Sequence, residues 1–580
     1  MLGFSGIWRK AFRYWRQRGG LNLLVKIFYY LRRRIHERAC LGSLLSSETT
    51  LQIQRESSNL DSPVISLIVP VYNTSIPFLI ELFESVVNQT NRNWQLCLAD
   101  GSDDHCLGRE NMLRDRSAAD PRIKYQRLPT NLGISGNSNV CLDMADGLYL
   151  ALLDHDDCLA PDALYEVNRT ISEQNADFIY TDELCFSGKI RRLKSIHLKP
   201  DFSLDNLRSN NYICHLTVFS RHLLNRIGEG FRSDYDGSQD YDLILRLTEK
   251  ANKIVHIPRV LYFWRVHPGS VSADLSVKPY CLAAARAALT DHLKRCQIQG
   301  QVVDSMEIST YRIIYELSKK PLISILLNMT DAQQASEVII KLRENTDYPA
   351  LEFVSSADIK KGGLPSNLNG TANRPEHHLA MAAKGVYFVF INPDLIPESP
   401  DWLDELLRCC QRQDTGAVGA LLLTQNHRIH SAGLVLGLKH PISHAWRYDS
   451  EYYAGYMSRL TYTHNTSAVS LDCLMVSREL YMQTGGIGKY RNTDAAAVDF
   501  CLQLRRLRPW IIVNPYARLR YARKISLAIH ENDKVDTDDT CKLFERWPLI
   551  MGERDPYYHP VFNQDRADFQ CEKNRKKQLR

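Results

Sequence analysis

The 580 residues contain no CxxC pair and no Cys/His cluster at zinc-site spacing. The 15 cysteines are odd in number and scattered, with Cys409–Cys410 the sole adjacent pair. A disulfide framework is therefore not indicated, and reduced, mostly buried thiols of an intracellular chain are expected. On that reading sequons such as Asn73-Thr74-Ser75 are incidental. No run approaches the roughly 18–20 apolar residues of a membrane span. The best candidate, Leu21–Leu31, is short and broken by Lys26. No small-residue cleavage site marks the N-terminus, which speaks against a signal peptide. Charge of one sign is also scarce overall. Lys plus Arg total 72 against 66 Asp plus Glu, a net of +6, too mild to imply nucleic acid. With 44% hydrophobic residues, 29 Gly and 23 Pro, collagen-like, coiled-coil and wholly disordered classes are excluded.

What charge there is sits in one place. Residues 1–40 hold ten Lys and Arg against the single acid Glu37, a local +9 that leaves the rest of the chain at −3 by difference. Trp8, Ala11, Phe12 and Trp15 recur at helical spacing, with Arg9, Lys10, Arg13 and Arg16 on the other face. A second apolar block, Leu21–Leu31, ends in Arg32-Arg33-Arg34. The pattern predicts a basic amphipathic helical N-terminus lying on anionic lipid. The alternatives are a basic helix packed on the protein's own body, or a partner contact. Ser43–Ser62, rich in Ser, Thr, Glu and Gln, reads as a linker.

From Pro63 strands alternate with helices, which predicts an α/β domain with a mostly parallel sheet. Ile65–Val69, Trp94–Ala99, Ile123–Leu128 and Leu148–Leu153 are the strands, and a polar cluster follows each. Ligands of such sheets bind at the carboxyl ends of the strands. Asp154-His155-Asp156 is delivered by an apolar strand into a turn before a Pro161-initiated helix. Alternation points positions two apart the same way while strand geometry lasts. Two such carboxylates suit a Mg²⁺- or Mn²⁺-type cation that completes its shell with water and phosphate oxygens. Alone, a DxD triplet is more often a solvated turn.

The ordered set is stronger than any one member. Pro70-Val-Tyr72-Asn73, Asp100-Gly-Ser-Asp-Asp104, Asn131-Leu-Gly133-Ile-Ser-Gly136 and Asp154-His-Asp156-Asp157 occur in that order at strand ends. Lys199-Pro-Asp-Phe, Ser238-Gln-Asp240-Tyr-Asp242 and Trp264-Arg-Val-His267 follow. Over about Pro63–Ser272 the sequence resembles the family 2 glycosyltransferases, inverting enzymes of GT-A fold, above all bacterial rhamnosyl- and polysaccharide transferases. The resemblance implies that Pro70, Tyr72, Asn73, Asp100, Asn131, Gly133, Asp154 and Lys199 line the nucleotide-sugar site. It implies that Asp156 and His267 hold Mn²⁺ or Mg²⁺, and that Asp240 is the catalytic base for the acceptor hydroxyl. Asp242 reads as an acid of the following helix's first turn.

The pattern then repeats. Pro63-Val-Ile-Ser-Leu-Ile returns as Pro321-Leu-Ile-Ser-Ile-Leu, and Gly147–Asp156 as Gly385–Asp394. His430-Ser-Ala-Gly433 and Gly485-Gly486-Ile resemble stretches of second-domain family members. In this second copy Asp100 falls near Ala357, Asp154 on Asn392, Asp240 on Ala497 and His267 on Lys524, while Asp156 stays acidic as Asp394. A catalytically dead, degenerate GT-A-like domain is expected, binding glycan, binding its neighbour or merely stabilising the pair. Trp446–Tyr462 reads as sugar-stacking or as core. The expected layout is residues 1–62 as membrane-proximal segment and linker, 63–296 as catalytic domain, 297–320 as connector, 321–528 as the degenerate copy, and 529–580 as a frayed extension.

The expected function is metal-dependent inverting transfer from a nucleotide-diphosphate sugar to a glycan acceptor, polyprenyl-linked, in surface-polysaccharide assembly such as O-antigen. The chain would work in the cytoplasm, peripheral on the inner face of the cytoplasmic membrane. The alternatives are a bifunctional two-site polymerase and a non-catalytic glycan-binding scaffold.

Overall fold

Seven consecutive residues, Ile65–Val71, are buried on both faces of one strand, which is why their sequence runs apolar rather than alternating. In the computed structural model, which describes residues 19–57, 62–103, 106–267, 279–362, 375–523 and 537–572, this strand is β1. It is followed by β2 (Trp94–Asp100), β3 (Ile123–Arg127), β4 (Tyr149–Leu152), β5 (Cys158–Leu159), β6 (Phe178–Ser187), β7 (Lys189–His197), β8 (Thr217–Ser220) and β9 (Ile254–Arg265). They form a nine-stranded sheet of order 3-2-1-4-8-6-9-5, with β7 on β6. The 3-2-1-4 half is parallel throughout. β8 enters antiparallel to both β4 and β6. The carboxyl ends of β1, β2 and β4 therefore open on one edge, where the polar clusters fall.

The described chain falls into two units. The first takes Glu37–Phe202 and Asn210–Asp304 and contains this sheet. The second takes Ser305–Glu572, the excursion Ser203–Ser209, and the chain up to His36. Its own nine-stranded sheet repeats the plan. Leu351–Ser355, Ile323–Leu327 and Tyr387–Ile391 run parallel, then Cys473–Ser477 enters antiparallel, followed by Thr415–Leu423, Trp510–Tyr521 and Leu395–Pro397. One small device recurs in both. The Gly147 N–H donates to Ser66 Oγ (2.9 Å), and the Gly385 N–H donates to Ser324 Oγ (2.8 Å). A Cβ at either glycine would stand within 2.7 Å of that serine oxygen, so neither tolerates a side chain.

Two regions differ from the sequence expectation, and in a third the structure chooses between two readings. Within Ser43–Ser62, read as a linker, Glu48–Ser57 is a helix. Ser47 Oγ accepts from the Thr50 N–H, so the Ser and Thr that suggested a linker act as a helix cap. Leu51 and Gln54 of this helix are buried, and Gln54 Nε2 donates to Glu166. The expected fraying after residue 528 is also corrected. Thr537–Arg546 is a helix, and Trp547 Nε1 and Arg546 both reach the buried Asp499 at 2.8 Å. Residues 573–580 lie outside the described residues. The aromatic segment from Trp446 is core: Trp446, Tyr456 and Tyr462 are buried, and Trp446 stacks on Phe569 at 4.0 Å.

Within the excursion, Asn465 Oδ1 accepts from Ser203 Oγ and from the Asp205 N–H, both at 2.8 Å. The buried Asp205 carboxylate pairs with Arg412. The expected helix Trp8–Trp15 lies outside the described residues. Gly20–Leu44 forms one continuous helix.

Candidate functional site

Strand β4 ends at Leu152, and the turn that follows carries three carboxylates in three different environments. Asp154 is half-exposed, Asp156 is mostly covered, and Asp157 is buried. Asp157 is the anchor. Its Oδ2 accepts from Tyr262 Oη (2.6 Å) and its Oδ1 from the Arg265 N–H (2.6 Å), so the end of β9 holds the turn. Burial pushes the Asp157 carboxyl well above the carboxylate range. Arg265, itself buried, braces the same turn. Its Nε donates to the Asp156 carbonyl (2.6 Å) and Nη2 to Glu81 (2.6 Å), while Phe78 and Phe186 flank the guanidinium at 4.5 and 4.6 Å.

With its neighbours fixed, Asp156 meets His267: Oδ2 and Nε2 lie 2.8 Å apart. A carboxylate oxygen and an imidazole nitrogen converging in this way form a donor pair suited to Mn²⁺, and to Mg²⁺ where water and phosphate complete the shell. The donor set fits the expected cation. Asp154 points to a residue the sequence reading missed. Its Oδ2 is 3.5 Å from His215 Nε2, and His215 Nδ1 is 3.3 Å from Glu183. The His215 ring stacks on Tyr262 at 4.6 Å and meets Trp264 edge-on at 4.8 Å. Burial opposes the imidazolium, yet Cys214, Asp154 and Glu183 outweigh it and hold His215 well above its ordinary pKa.

Asp240 sits in the first turn of the helix Gln239–Lys250. Its Oδ2 accepts from Asn211 Nδ2 (2.8 Å) and lies 4.0 Å from Cys214 Sγ, which is 3.6 Å from His215 Nε2. A continuous run of side chains thus leads from Asp154 through His215 and Cys214 to Asp240. Burial raises the Asp240 carboxyl above the ordinary range. Asp242, expected to serve the helix's first turn, is buried and is gripped by Arg232 and by Arg246 at 2.9 Å.

The remaining expected residues divide into two groups. Tyr72, Asn73, Asn131 and Gly133 gather at the β1 and β3 ends. The exposed Tyr72 hydroxyl donates to Asp103 with the Asn131 and Asn73 side chains beside it. Asn73 takes φ 49°, and Asn131 Oδ1 accepts from the Gly133 N–H (3.0 Å). Gly133 takes φ 77°, and a Cβ there would stand 3.0 Å from Asp236. Ser135 Oγ, two residues on, donates to the same Asp236 (2.5 Å), which ties this segment to the one that carries Asp240. Pro70, Asp100 and Lys199 are buried instead. Asp100 accepts from the Ser102 N–H and lies 3.5 Å from Arg127. Lys199 Nζ is spent on Glu183 (3.1 Å), the Ile213 carbonyl (2.6 Å) and the His215 carbonyl. Lys199 thus holds the His215 segment from beneath and does not reach the opening.

The second unit places other groups at the matching strand ends. Tyr149 pairs with Ser220 and Tyr387 with Ser477, so Asn392 and Asp472 stand where Asp154 and His215 stand in the first unit. Asn392 Nδ2 donates to Asp472 Oδ1 (3.0 Å) and Tyr521 Oη to Asp472 Oδ2 (2.8 Å). Asp394 pairs with Arg523 at 3.3 Å, and Ala497 is fully buried. Lys524 lies outside the described residues.

Residues 66–227 match the family model described as glycosyl transferase family 2. An uncharacterized protein of Sinorhizobium fredii, y4gI, is 35% identical over 88% of this chain and 58% of its own length. The O-antigen biosynthesis protein RfbC of Myxococcus xanthus is 27% identical over 86% of this chain and 40% of its own length. The chain therefore spans about half the length of these two relatives. The Escherichia coli protein WfaP, a UDP-Glc:alpha-D-GlcNAc-diphosphoundecaprenol beta-1,3-glucosyltransferase, is 28% identical over 36% of this chain and 80% of its own length.

Proposed function

Because residues 66–227 form a glycosyl transferase family 2 domain, we propose that the first unit transfers a sugar, with inversion, from a nucleotide-diphosphate sugar to a glycan hydroxyl. The observation that carries this reading is the run of side-chain contacts from Asp154, two residues before the Asp156–His267 pair, through His215 and Cys214 to Asp240. Inversion needs the acceptor oxygen to arrive opposite the leaving diphosphate, so the base and the diphosphate-binding groups must flank one sugar. Asp156 and His267 would hold a Mn²⁺ or Mg²⁺ ion, which would supply Lewis-acid neutralisation of the leaving diphosphate.

The chain's own residues do the rest. Tyr72, Asn73, Asn131 and Gly133 receive the nucleoside, and Asp154 faces its ribose. Asp100, Pro70 and Lys199 shape that pocket from below. His215 fixes Asp154 and lies between it and the base. Asp240 takes the proton of the acceptor hydroxyl, and its raised pKa brings it nearer the working pH of a general base. In the second unit, Ala497 can accept no proton and Arg523 occupies the remaining acid, which weighs against two live sites. Intact carboxylates in the first unit weigh against a bare binding scaffold.

The acceptor is a polyprenyl-linked glycan at the inner face of the cytoplasmic membrane, in assembly of O-antigen or a similar surface polysaccharide. WfaP's named acceptor and RfbC's named role support this choice. The test uses purified protein, a nucleotide-sugar panel, and Mn²⁺ or chelator. Asp240→Asn is expected to cut transfer by about a hundredfold or more while metal-dependent nucleotide binding persists. Asp156→Ala is expected to remove both. Transfer that survives both substitutions would end the proposal.

A further inference from the structure

The helix Gly20–Leu44 is amphipathic in the reverse of the usual sense. Tyr29 is its buried anchor: the ring stacks on Tyr453 at 3.8 Å and 9°, and the hydroxyl donates to Asp449. On neighbouring turns Lys26 pairs with Glu307 and Arg32 with Asp568, both at 2.8 Å, and His36 Nδ1 meets the Cys571 carbonyl at 2.6 Å. All of these belong to the second unit, so the polar side of the helix holds it to the body.

The opposite side faces outward and is apolar. Leu21, Leu24, Phe28, Leu31 and Ile35 follow one another at intervals of three and four, joined by Ile27 and Tyr30. These seven side chains are between 44% and 65% exposed. At 100° per residue they cover half the helix circumference, opposite Tyr29, over a length of about 20 Å. An apolar helix face of this size left in water is unusual for a folded domain.

We propose that this face lies in the interfacial layer of an anionic lipid bilayer. Three observations choose lipid over other occupants. The first forty residues carry +9, so two copies meeting face to face would bring like charges together, whereas anionic headgroups neutralise them. The apolar arc is half the circumference, wider than the narrow seam of a helix pair. Tyr30 stands at one margin of the arc, and Arg34 and Arg38 fall within its span at the C-terminal end, a ring and cations beside the apolar face as at a headgroup boundary. Among the described residues no helix is long and apolar enough to cross a membrane, so the contact is a surface one.

This inference stands apart from the transfer chemistry, since either can fail alone. The test is flotation of the full chain with vesicles of phosphatidylglycerol and phosphatidylcholine, against phosphatidylcholine alone. Sedimentation velocity and melting temperature are measured on the same samples. The parent is expected to float with the anionic vesicles. Leu24→Glu/Leu31→Glu is expected to float roughly tenfold less while keeping its melting temperature and its transfer to a water-soluble acceptor. Three results would overturn the proposal: no flotation of the parent, flotation indifferent to the double substitution, or a dimer that the substitution dissolves.

Discussion

Asp240 is the residue whose surroundings say most. Burial raises its pKa, so the folded protein favours the protonated form. The sign of the stability effect follows. What Asp240 contributes is present below the unfolded carboxylate pKa and is lost as pH rises through the raised folded value. In chelator-treated protein, Asp240→Asn is expected to melt higher than the parent near neutral pH. The gap should close below about pH 4, where the unfolded carboxyl is protonated too. A scan of melting temperature against pH checks this, and an unchanged gap at low pH would contradict it.

At this scale the placement of Asp154-His155-Asp156 in a turn after an apolar strand, and of Asp240 in a helix's first turn, was legible in the sequence. Sequence reading missed His215, which follows an irregular segment and reaches Asp154 only because β8 pairs antiparallel with β4. It misplaced Lys199. The resemblance implied that it lines the nucleotide-sugar site, yet three acceptors already take its ammonium group.

At the scale of elements, the site turn depends on the end of β9. Arg265 joins that strand to the turn and to the helix Ile76–Val87 through Glu81. Arg265→Met would keep the bulk but strand the Asp156 carbonyl and Glu81. A loss of about 3 kcal/mol is expected in chemical denaturation. Weaker metal-dependent nucleotide binding should accompany it, because the Asp156–His267 pair loses its brace. Most strands and helices of the first unit were legible, since buried parallel strands read as short apolar runs between turn signals. The helix Glu48–Ser57 was not legible as such, because capping residues and linker residues are the same residues.

For the whole molecule, the repeat was legible, as were some of the residues that differ between its two copies. The losses at Asn392 and Ala497 can be read from aligned strings. The substitution of Asp472 for the histidine needs the strand register. Asp394, paired with Arg523, is expected to matter little to transfer. Asp394→Ala should leave the rate within about twofold of the parent, where Asp156→Ala abolishes it. Side-by-side initial rates decide the point, and equal losses would mean that the second sheet also works on substrate.

Ser203–Ser209 carries a consequence for dissection. The polypeptide leaves the first sheet at Phe202, lends seven residues to the other half, and returns at Asn210. No single scissor point yields two whole pieces. A fragment ending at Asp304 would keep Asp205 but lose Arg412, leaving an acid stranded without its counter-ion. One beginning at Ser305 would leave Asn465 without Ser203 and Asp205. Each half is complete only with residues from both sides of Asp304, so neither can be cut out intact.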